Sequence, residues 1–266
     1  MRHIKLNEWR PNTEKTFNVT GNPWCKSVLP NYFNGGDYEI KVNSYGFISN
    51  DEPQFSKPIK VLLGDSIFET LFMHEENRIH SLLQKNNPAV NYLNHGVSCT
   101  TTIDALNIIV NKLIPLGVKE VVISTGGADI HGLYHTKERK FEFMNNPNEA
   151  RIELDMYKQR ELLLSGCISL LRSFDIKVIL CTQGHRIHKN DPYYDQDYYN
   201  MDLVPPRGRK EMAKMNAITR RVAENLDVKL IDFEKLMSDF DYWYDSSHLT
   251  PKGARFVADK LIEIGF

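Results

Sequence analysis

The sequence predicts an α/β fold, a three-layer α/β/α sandwich around a five-stranded parallel sheet. Two observations carry this prediction. After residue 58, five short apolar, β-branched runs alternate with segments of helical hydrophobic periodicity. The runs are nearly continuous in apolar residues, which is typical of parallel strands that helices cover on both faces. Strands and helices that alternate in this way, with right-handed crossovers, form such a sandwich.

The predicted elements follow in a regular order. Strands are expected at 59–63, 90–94, 119–125, 176–182 and 228–232, and helices at 66–85, 101–116, 150–174 and 208–226. A last helix begins with Thr250 as its cap and Pro251 in its first turn. Residues 1–58, rich in Asn, Pro, Gly and aromatic residues, are expected to form loops and one hairpin within 38–49. We interpret them as an extension packed on a main domain that spans 59–266.

Composition restricts the classes of partner. The 266 residues are 41% hydrophobic and 25% charged, as in a globular protein, and the formal net charge is −1. This charge gives no reason to expect a nucleic acid or an anionic membrane partner. The chain contains no apolar run of membrane-spanning length, and its first residues lack the apolar core of a secretory signal. Four widely spaced cysteines predict reduced thiols and a cytoplasmic location, whereas the oligomeric state stays open.

The first predicted strand ends in the tripeptide Gly64-Asp65-Ser66. Ligands of parallel sheets bind outside the carboxyl ends of the strands, which makes this position a candidate site. Ser66 stands where the next helix begins, and the unpaired amides and positive dipole end of a helix stabilise a developing oxyanion. Serine is also a common helix N-cap, and Phe68 replaces the second glycine of the GxSxG elbow. The tripeptide alone therefore leaves both roles open.

A second motif favours the catalytic role. Asp245 precedes His248 by three residues in the loop that leads into the last helix. In a loop, this spacing lets the carboxylate bind one imidazole nitrogen while the other nitrogen faces a nucleophile. The aspartate would then fix the tautomer, and the histidine would accept the proton of the serine.

Together, GDS after the first strand and DxxH before the last helix resemble the SGNH (GDSL) hydrolase superfamily. The resemblance covers most of 59–266 and includes "NHGVSCTT", "STGGADI" and "DSSHLTPKGARFVA". It implies a flavodoxin-like topology and a catalytic triad with Ser66 as nucleophile, His248 as base and Asp245 as the residue that orients the base. It also implies hydrolysis of esters or thioesters, or acyl transfer, without a cofactor.

Two positions depart from the pattern of this superfamily, in which a glycine and an asparagine help the serine amide to bind the oxyanion. When "NHGVSCTT" is aligned from Asn94, Cys99 takes the glycine position, and Gly96 is the alternative if the loop shifts by three residues. Ala128 takes the asparagine position and has no side-chain donor. Three threonine hydroxyls are alternative replacements for this donor, those of Thr100, Thr101 and Thr125.

Polar residues at the strand ends are further candidates for substrate contacts: Asp65, Gln183, His185 and Arg186. The tyrosine- and acid-rich segment 190–210 shows no helical periodicity and is interpreted as a lid or specificity loop. His131 and His135 have a spacing that two metal ligands on one helix face would show, but no third ligand accompanies them, so no metal is expected.

Three functions follow from these observations. The leading hypothesis is a serine-dependent hydrolase of a small or carbohydrate O-acyl ester, O-acetyl esters included, that forms an acyl-Ser66 intermediate. The first alternative is an O-acyltransferase that uses the same three residues. The second is a non-catalytic binding protein in which Ala128 marks the loss of catalysis.

Overall fold

The computed structural model describes residues 6–18, 36–134, 155–186, 206–245 and 247–266. The strands in these residues are β1 (Glu14–Asn18), β2 (Asp37–Lys41), β3 (Ile59–Gly64), β4 (Asn91–Gly96), β5 (Glu120–Ser124), β6 (Lys177–Cys181) and β7 (Lys229–Ile231). The last five form one parallel sheet in the order β4-β3-β5-β6-β7, which places Val61 between Leu93 and Val121. The predicted fold class is confirmed, and this order is the flavodoxin-like one.

Helices follow the strands of the sheet. They are α1 (Ser66–Glu69), α2 (Ile79–Asn86), α3 (Thr102–Ile108), α4 (Gly127–Tyr134), α5 (Met156–Arg172), α6 (Pro206–Asn225), α7 (Phe233–Leu236) and α8 (Pro251–Glu263). A π-helical turn at Ile109–Leu113 continues α3. As predicted, Thr250 caps α8 and Pro251 lies in its first turn. None of the helices among the described residues combines the length and apolarity that a bilayer crossing requires.

Two apolar layers sandwich the sheet. Alternate strand residues such as Val61 and Ile123 pack with α3, α5 and α6, whereas their neighbours Leu62 and Val122 pack with α2 and α8. Because side chains along a strand point to opposite faces, continuous apolar strands are needed to fill both layers. The carboxyl ends of the strands thus share one edge of a rigid core.

The prediction of one continuous helix over 66–85 is wrong. α1 ends after Glu69, where Thr70 adopts a left-handed conformation with a φ of 47°, and helical structure resumes in the 3₁₀ turn Glu75–Asn77 and in α2. Phe68 and Met73 nevertheless pack in the same core cluster. The apolar pattern continues across the break, and periodicity alone therefore does not reveal it.

The N-terminal segment differs from the prediction in its pairing. β2 pairs antiparallel with β1, from Glu14 opposite Lys41 to Asn18 opposite Asp37. The hairpin expected within 38–49 is reduced to a single bridge between Val42 and Ile48. The amide of Ile48 also donates to the carbonyl of Asn94 at 2.9 Å, so this segment contacts the edge strand β4.

Candidate active site

Ser66 lies at the carboxyl end of β3, in the first turn of α1. A Cβ at Gly64 would lie 2.7 Å from the carbonyl oxygen of Ser124, so the strand can reach this close approach only with glycine. Asp65 accepts a hydrogen bond from the amide of Ile67 at 3.1 Å and is the N-cap of α1. Capping therefore does not occupy the Ser66 hydroxyl.

The hydroxyl of Ser66 faces the loop before α8. Its Oγ lies 2.9 Å from Nε2 of His248, and Nδ1 of His248 lies 2.5 Å from Oδ2 of Asp245. The other carboxylate oxygen, Oδ1, accepts the amides of Ser247 at 2.8 Å and His248 at 2.6 Å. The structure thus joins the serine, histidine and aspartate singled out in the sequence into one hydrogen-bonded chain.

Local contacts hold the imidazole in this orientation. The amide of Tyr244 donates to the carbonyl of His248 at 3.0 Å, and the two rings stack with centroids 5.6 Å apart. Arg186, on the loop after β6, donates to the carbonyl of Trp243 at 3.1 Å. The DxxH loop is therefore held by a contact within it and by Arg186 from the loop after β6.

Burial and charge shift the pKa values of the site. Burial alone would lower the pKa of His248, but the carboxylates of Asp245, Asp65 and Glu69 outweigh it and raise that pKa. Burial raises the pKa of Asp65 to about 6 and also raises that of Glu69. Burial would likewise raise the pKa of Asp245, but His248 and the hydrogen bonds to Oδ1 lower it, so Asp245 is the anion that faces the imidazole.

The two alignments of the glycine position lead to different environments. Gly96 packs so closely on α1 that a Cβ would lie 2.2 Å from the amide nitrogen of Glu69, and its own amide donates to Asn94 at 2.8 Å. Cys99 is exposed and has a φ of 63°, in the left-handed region that glycine favours. Among the described residues, the amides of Ser66 and Cys99 have no hydrogen-bond acceptor.

The asparagine position is filled by an aliphatic side chain. Ala128, in the first turn of α4, is buried. The three threonine hydroxyls considered as replacements are already engaged. Thr100 donates to a carbonyl of its own turn at 2.8 Å, Thr101 donates to Asp104 at 2.6 Å, and Thr125 pairs with Thr102 at 3.0 Å.

Three of the residues predicted to contact substrate are buried in the walls of the site. Gln183 is 1% exposed; its Nε2 donates to Asp65 and its Oε1 accepts the amide of Gly127. Asn216 of α6 holds the backbone of Gln183 through two hydrogen bonds of 2.9 Å. Arg186 is also buried. In contrast, His185 is half-buried, with its ring 3.6 Å from Glu234.

A buried ionic network behind the site was not predicted. Arg160 of α5 donates to Asp129 of α4, to Thr102 at 2.6 Å, to the carbonyl of Thr125 at 2.8 Å and to Thr219 at 2.9 Å. These bonds tie α3, α4, α5 and α6 to the end of β5. No local signal in the sequence marks Arg160, because an arginine within a helical pattern normally faces solvent.

Several candidates fall outside the described residues, namely His135, Cys25 and segment 190–205, and the side chain of His131 is likewise not described. Residues 206–210 belong to α6, which corrects the prediction that all of 190–210 lacks helical structure. Among the residues that the structure describes, no group of histidine, cysteine or acidic side chains is suited to hold a metal ion.

Comparison with protein families identifies the class. The model of the GDSL-like Lipase/Acylhydrolase family matches residues 62–256, so the chain belongs to this family. It is accordingly an ester-hydrolysing enzyme of the SGNH type. No curated protein is similar enough in sequence to count as a match.

Solved structures of similar fold agree with this membership. The acetyl xylan esterase AlAXEase is 20% identical, with a TM-score of 0.57 over 78% of this chain and 100% of its own. Axe2, an acetylxylan esterase from Geobacillus stearothermophilus, is 19% identical, with a TM-score of 0.56 over 79% of this chain and 94% of its own. A putative acylhydrolase from Bacteroides fragilis is 18% identical, with a TM-score of 0.53 over 80% and 89%. At these identities the similarity establishes the fold.

Proposed function

We propose that the protein is a serine-dependent esterase that removes a small acyl group, with acetyl as the first candidate, from a carbohydrate or another alcohol. The observation that supports this most is the chain of contacts from Ser66 Oγ to His248 Nε2 at 2.9 Å and from Nδ1 to Asp245 at 2.5 Å. A hydroxyl becomes a nucleophile when a positioned base can remove its proton, and these distances meet that requirement.

The reaction follows from this geometry. His248 takes the Ser66 proton on Nε2 while Oγ bonds to the ester carbonyl carbon, and the carbonyl oxygen becomes an oxyanion. The imidazolium, which Asp245 stabilises through Nδ1, then gives the proton to the departing alkoxide. Water, deprotonated by the same nitrogen, then attacks the acyl-Ser66 ester; the bond between the acyl carbon and Oγ breaks, the imidazolium returns the proton to Oγ, and the carboxylic acid is released.

The amides of Ser66 and Cys99 are the proposed oxyanion donors, because neither has an acceptor among the described residues. Ala128 contributes no side-chain donor, and the nearby threonines are engaged. Loss of one oxyanion donor lowers kcat by about 100- to 1000-fold in a well-studied protease. We therefore expect a slow esterase relative to members of the class that have all three donors.

The substrate class is inferred from chemistry and from fold relatives. Two of the similar structures are described as acetylxylan esterases, which makes acetylated sugars the first substrates to test. Of the four residues predicted to bind substrate, we retain His185. Asp65, Gln183 and Arg186 are buried, and we therefore assign them a role in positioning the site rather than in contacting substrate.

The test measures acetate release from acetylated xylooligosaccharides and acid release from 4-nitrophenyl acetate, butyrate and octanoate. We expect turnover of the short acyl esters by the wild-type protein and none above background by Ser66→Ala, which removes only the hydroxyl. Equal rates for the two proteins would refute a Ser66-dependent esterase. Faster turnover of octanoate than of acetate would refute the small acyl group.

Acyl transfer is the second candidate, because the departures at Cys99 and Ala128 fall in the two sequence blocks in which acyltransferases of the SGNH superfamily depart from the pattern more often. Assays with and without sugars or other alcohols as acceptors separate the two reactions. If an acylated acceptor forms at the expense of free acid at low millimolar acceptor, transfer is the function. The intact Ser66–His248–Asp245 arrangement weighs against a purely binding protein, which has no chemical need for it.

We also propose that the protein is located in a reducing compartment such as the cytoplasm. In the described part of the chain, Cys99, Cys167 and Cys181 are free thiols. Cys167 and Cys181 are buried, and burial raises the pKa of Cys167 to about 12. Buried thiols of this kind are inert side chains of the core.

A further inference from the structure

Glu69 is a buried acid that the proposed reaction does not use. It stands three residues after Ser66, is 3% exposed, and its burial raises its pKa. Its Oε1 accepts the indole Nε1 of Trp9 at 3.0 Å. Its Oε2 accepts both the amide of Ser98, at 3.1 Å, and the Ser98 hydroxyl. The carboxylate thus joins the N-terminal segment to the residue just before Cys99.

A second contact reaches the residue just after Cys99. The side-chain amide of Asn7 donates to Oγ1 of Thr100 at 3.0 Å, and that hydroxyl donates to the carbonyl of Val97 at 2.8 Å. Asn7 and Trp9 lie outside residues 62–256, the part of the chain that matches the family. The turn around Cys99 is therefore held on both sides, and the N-terminal segment takes part at each side.

The backbone conformation of Cys99 is one that these contacts help to maintain. Its φ of 63° is one that residues other than glycine rarely adopt. Such a conformation persists only where the surrounding contacts enforce it. A glycine at this position would adopt it unaided, whereas a cysteine needs both neighbours to be fixed. The direction of the Cys99 amide depends on this conformation.

We propose that Asn7 and Trp9, the latter through Glu69, are positioning residues that hold the Ser98–Thr100 turn so that the Cys99 amide serves as an oxyanion donor. This inference rests on the proposed function and deepens it. The N-terminal segment is then part of the active site: it supplies the rigidity that glycine at the position of Cys99 would make unnecessary.

The test compares three full-length proteins in hydrolysis of 4-nitrophenyl acetate and in inhibition by a phenylboronic acid. The Ser66 oxygen adds to boron and its proton passes to His248, which leaves an anionic tetrahedral adduct whose oxygen occupies the oxyanion site. The proteins are the wild type, Asn7→Ala/Trp9→Phe and the matched control Thr13→Ala. The Thr13 hydroxyl donates to the carbonyl of Arg10 at 2.6 Å, within the same segment but away from the turn.

For Asn7→Ala/Trp9→Phe, we expect kcat to fall about tenfold, with KM changed less than about twofold, because one transition-state hydrogen bond is misaligned. The affinity for the boronic acid should fall by the same factor as kcat. Thr13→Ala should match the wild type in both. If the double variant does not fold, Asn7→Ala alone should give a smaller loss in the same two measurements.

A rescue variant separates positioning from general support of the fold. Introducing Cys99→Gly into Asn7→Ala/Trp9→Phe should restore most of kcat and of the boronic acid affinity. Unchanged boronic acid affinity in the double variant, or no restoration by the glycine, would overturn the positioning role while the esterase proposal stands. A wild-type protein that neither hydrolyses the ester nor binds the boronic acid would overturn both proposals.

Discussion

Replacement of Cys99 by glycine should stabilise the protein. A non-glycine residue in the left-handed region, where Cys99 has a φ of 63°, is strained by about 1–2 kcal/mol. Glycine removes this strain but loses about 0.5–1 kcal/mol more conformational free energy on folding. The free energy of unfolding should therefore rise by about 0.5–1 kcal/mol, which corresponds to a Tm increase of roughly 1–4 °C for a chain of this size.

Urea unfolding and differential scanning calorimetry under reducing conditions measure this change. Asp175→Gly is a matched control, because Asp175 is exposed, has a φ of 56° and lies in the turn between α5 and β6, away from Ser66. Both glycine variants should gain stability, and Cys99→Val should lose it because a β-branched side chain tolerates a positive φ poorly. A loss of stability in Cys99→Gly beside a gain in Asp175→Gly would refute the reasoning.

Three further variants test other parts of the site. Ala128→Asn adds the missing donor and should raise kcat by about tenfold or more, toward the full value of one oxyanion hydrogen bond, whereas an unchanged kcat would mean that another group supplies this bond. His248 must be neutral to accept a proton, so kcat/KM should fall as the pH drops through its raised pKa, above the ordinary 6.5. Asp245→Asn should move this fall of kcat/KM to lower pH and lower kcat about 10⁴-fold. If the fall stays at the same pH, Asp245 is not the carboxylate that raises the pKa of His248. Arg160→Met leaves Asp129, whose side chain is only 11% exposed, without its cation and should lower the free energy of unfolding by about 3–5 kcal/mol; a loss below about 1 kcal/mol in urea unfolding would contradict an ion pair shielded from water.

The sheet could be predicted from sequence because its signal is local. Each strand of the five-stranded sheet is a short apolar run, and the five runs predicted are the five strands observed, with ends displaced by at most two residues. The break after Glu69 could not be predicted, because the buried side chains of Phe68 and Met73 continue the apolar pattern through it. β1 was missed because its five residues are largely exposed, so it carries no burial pattern.

In the site, too, the residues marked by local patterns could be predicted, whereas those placed by distant parts of the chain could not. The pairing of Asp245 with His248 depends on a three-residue spacing within one loop, and Ser66 follows from the rule on strand ends, so sequence brings out these three residues. The surroundings of Gln183 depend on Asp65 and Asn216, which are distant in the chain. Whether such a polar side chain faces substrate or the core is decided by tertiary packing, which residue type does not encode.

The central claim is that Ser66 is a nucleophile activated by His248. A fluorophosphonate probe tests it directly, because phosphonylation requires the deprotonated serine oxygen, and mass spectrometry locates the adduct. The account predicts one adduct, on Ser66, in the wild-type protein, none at this position in Ser66→Ala and strongly slowed labelling in His248→Ala. A wild-type protein without an adduct on Ser66, or a His248→Ala variant labelled as fast as the wild type, would contradict it.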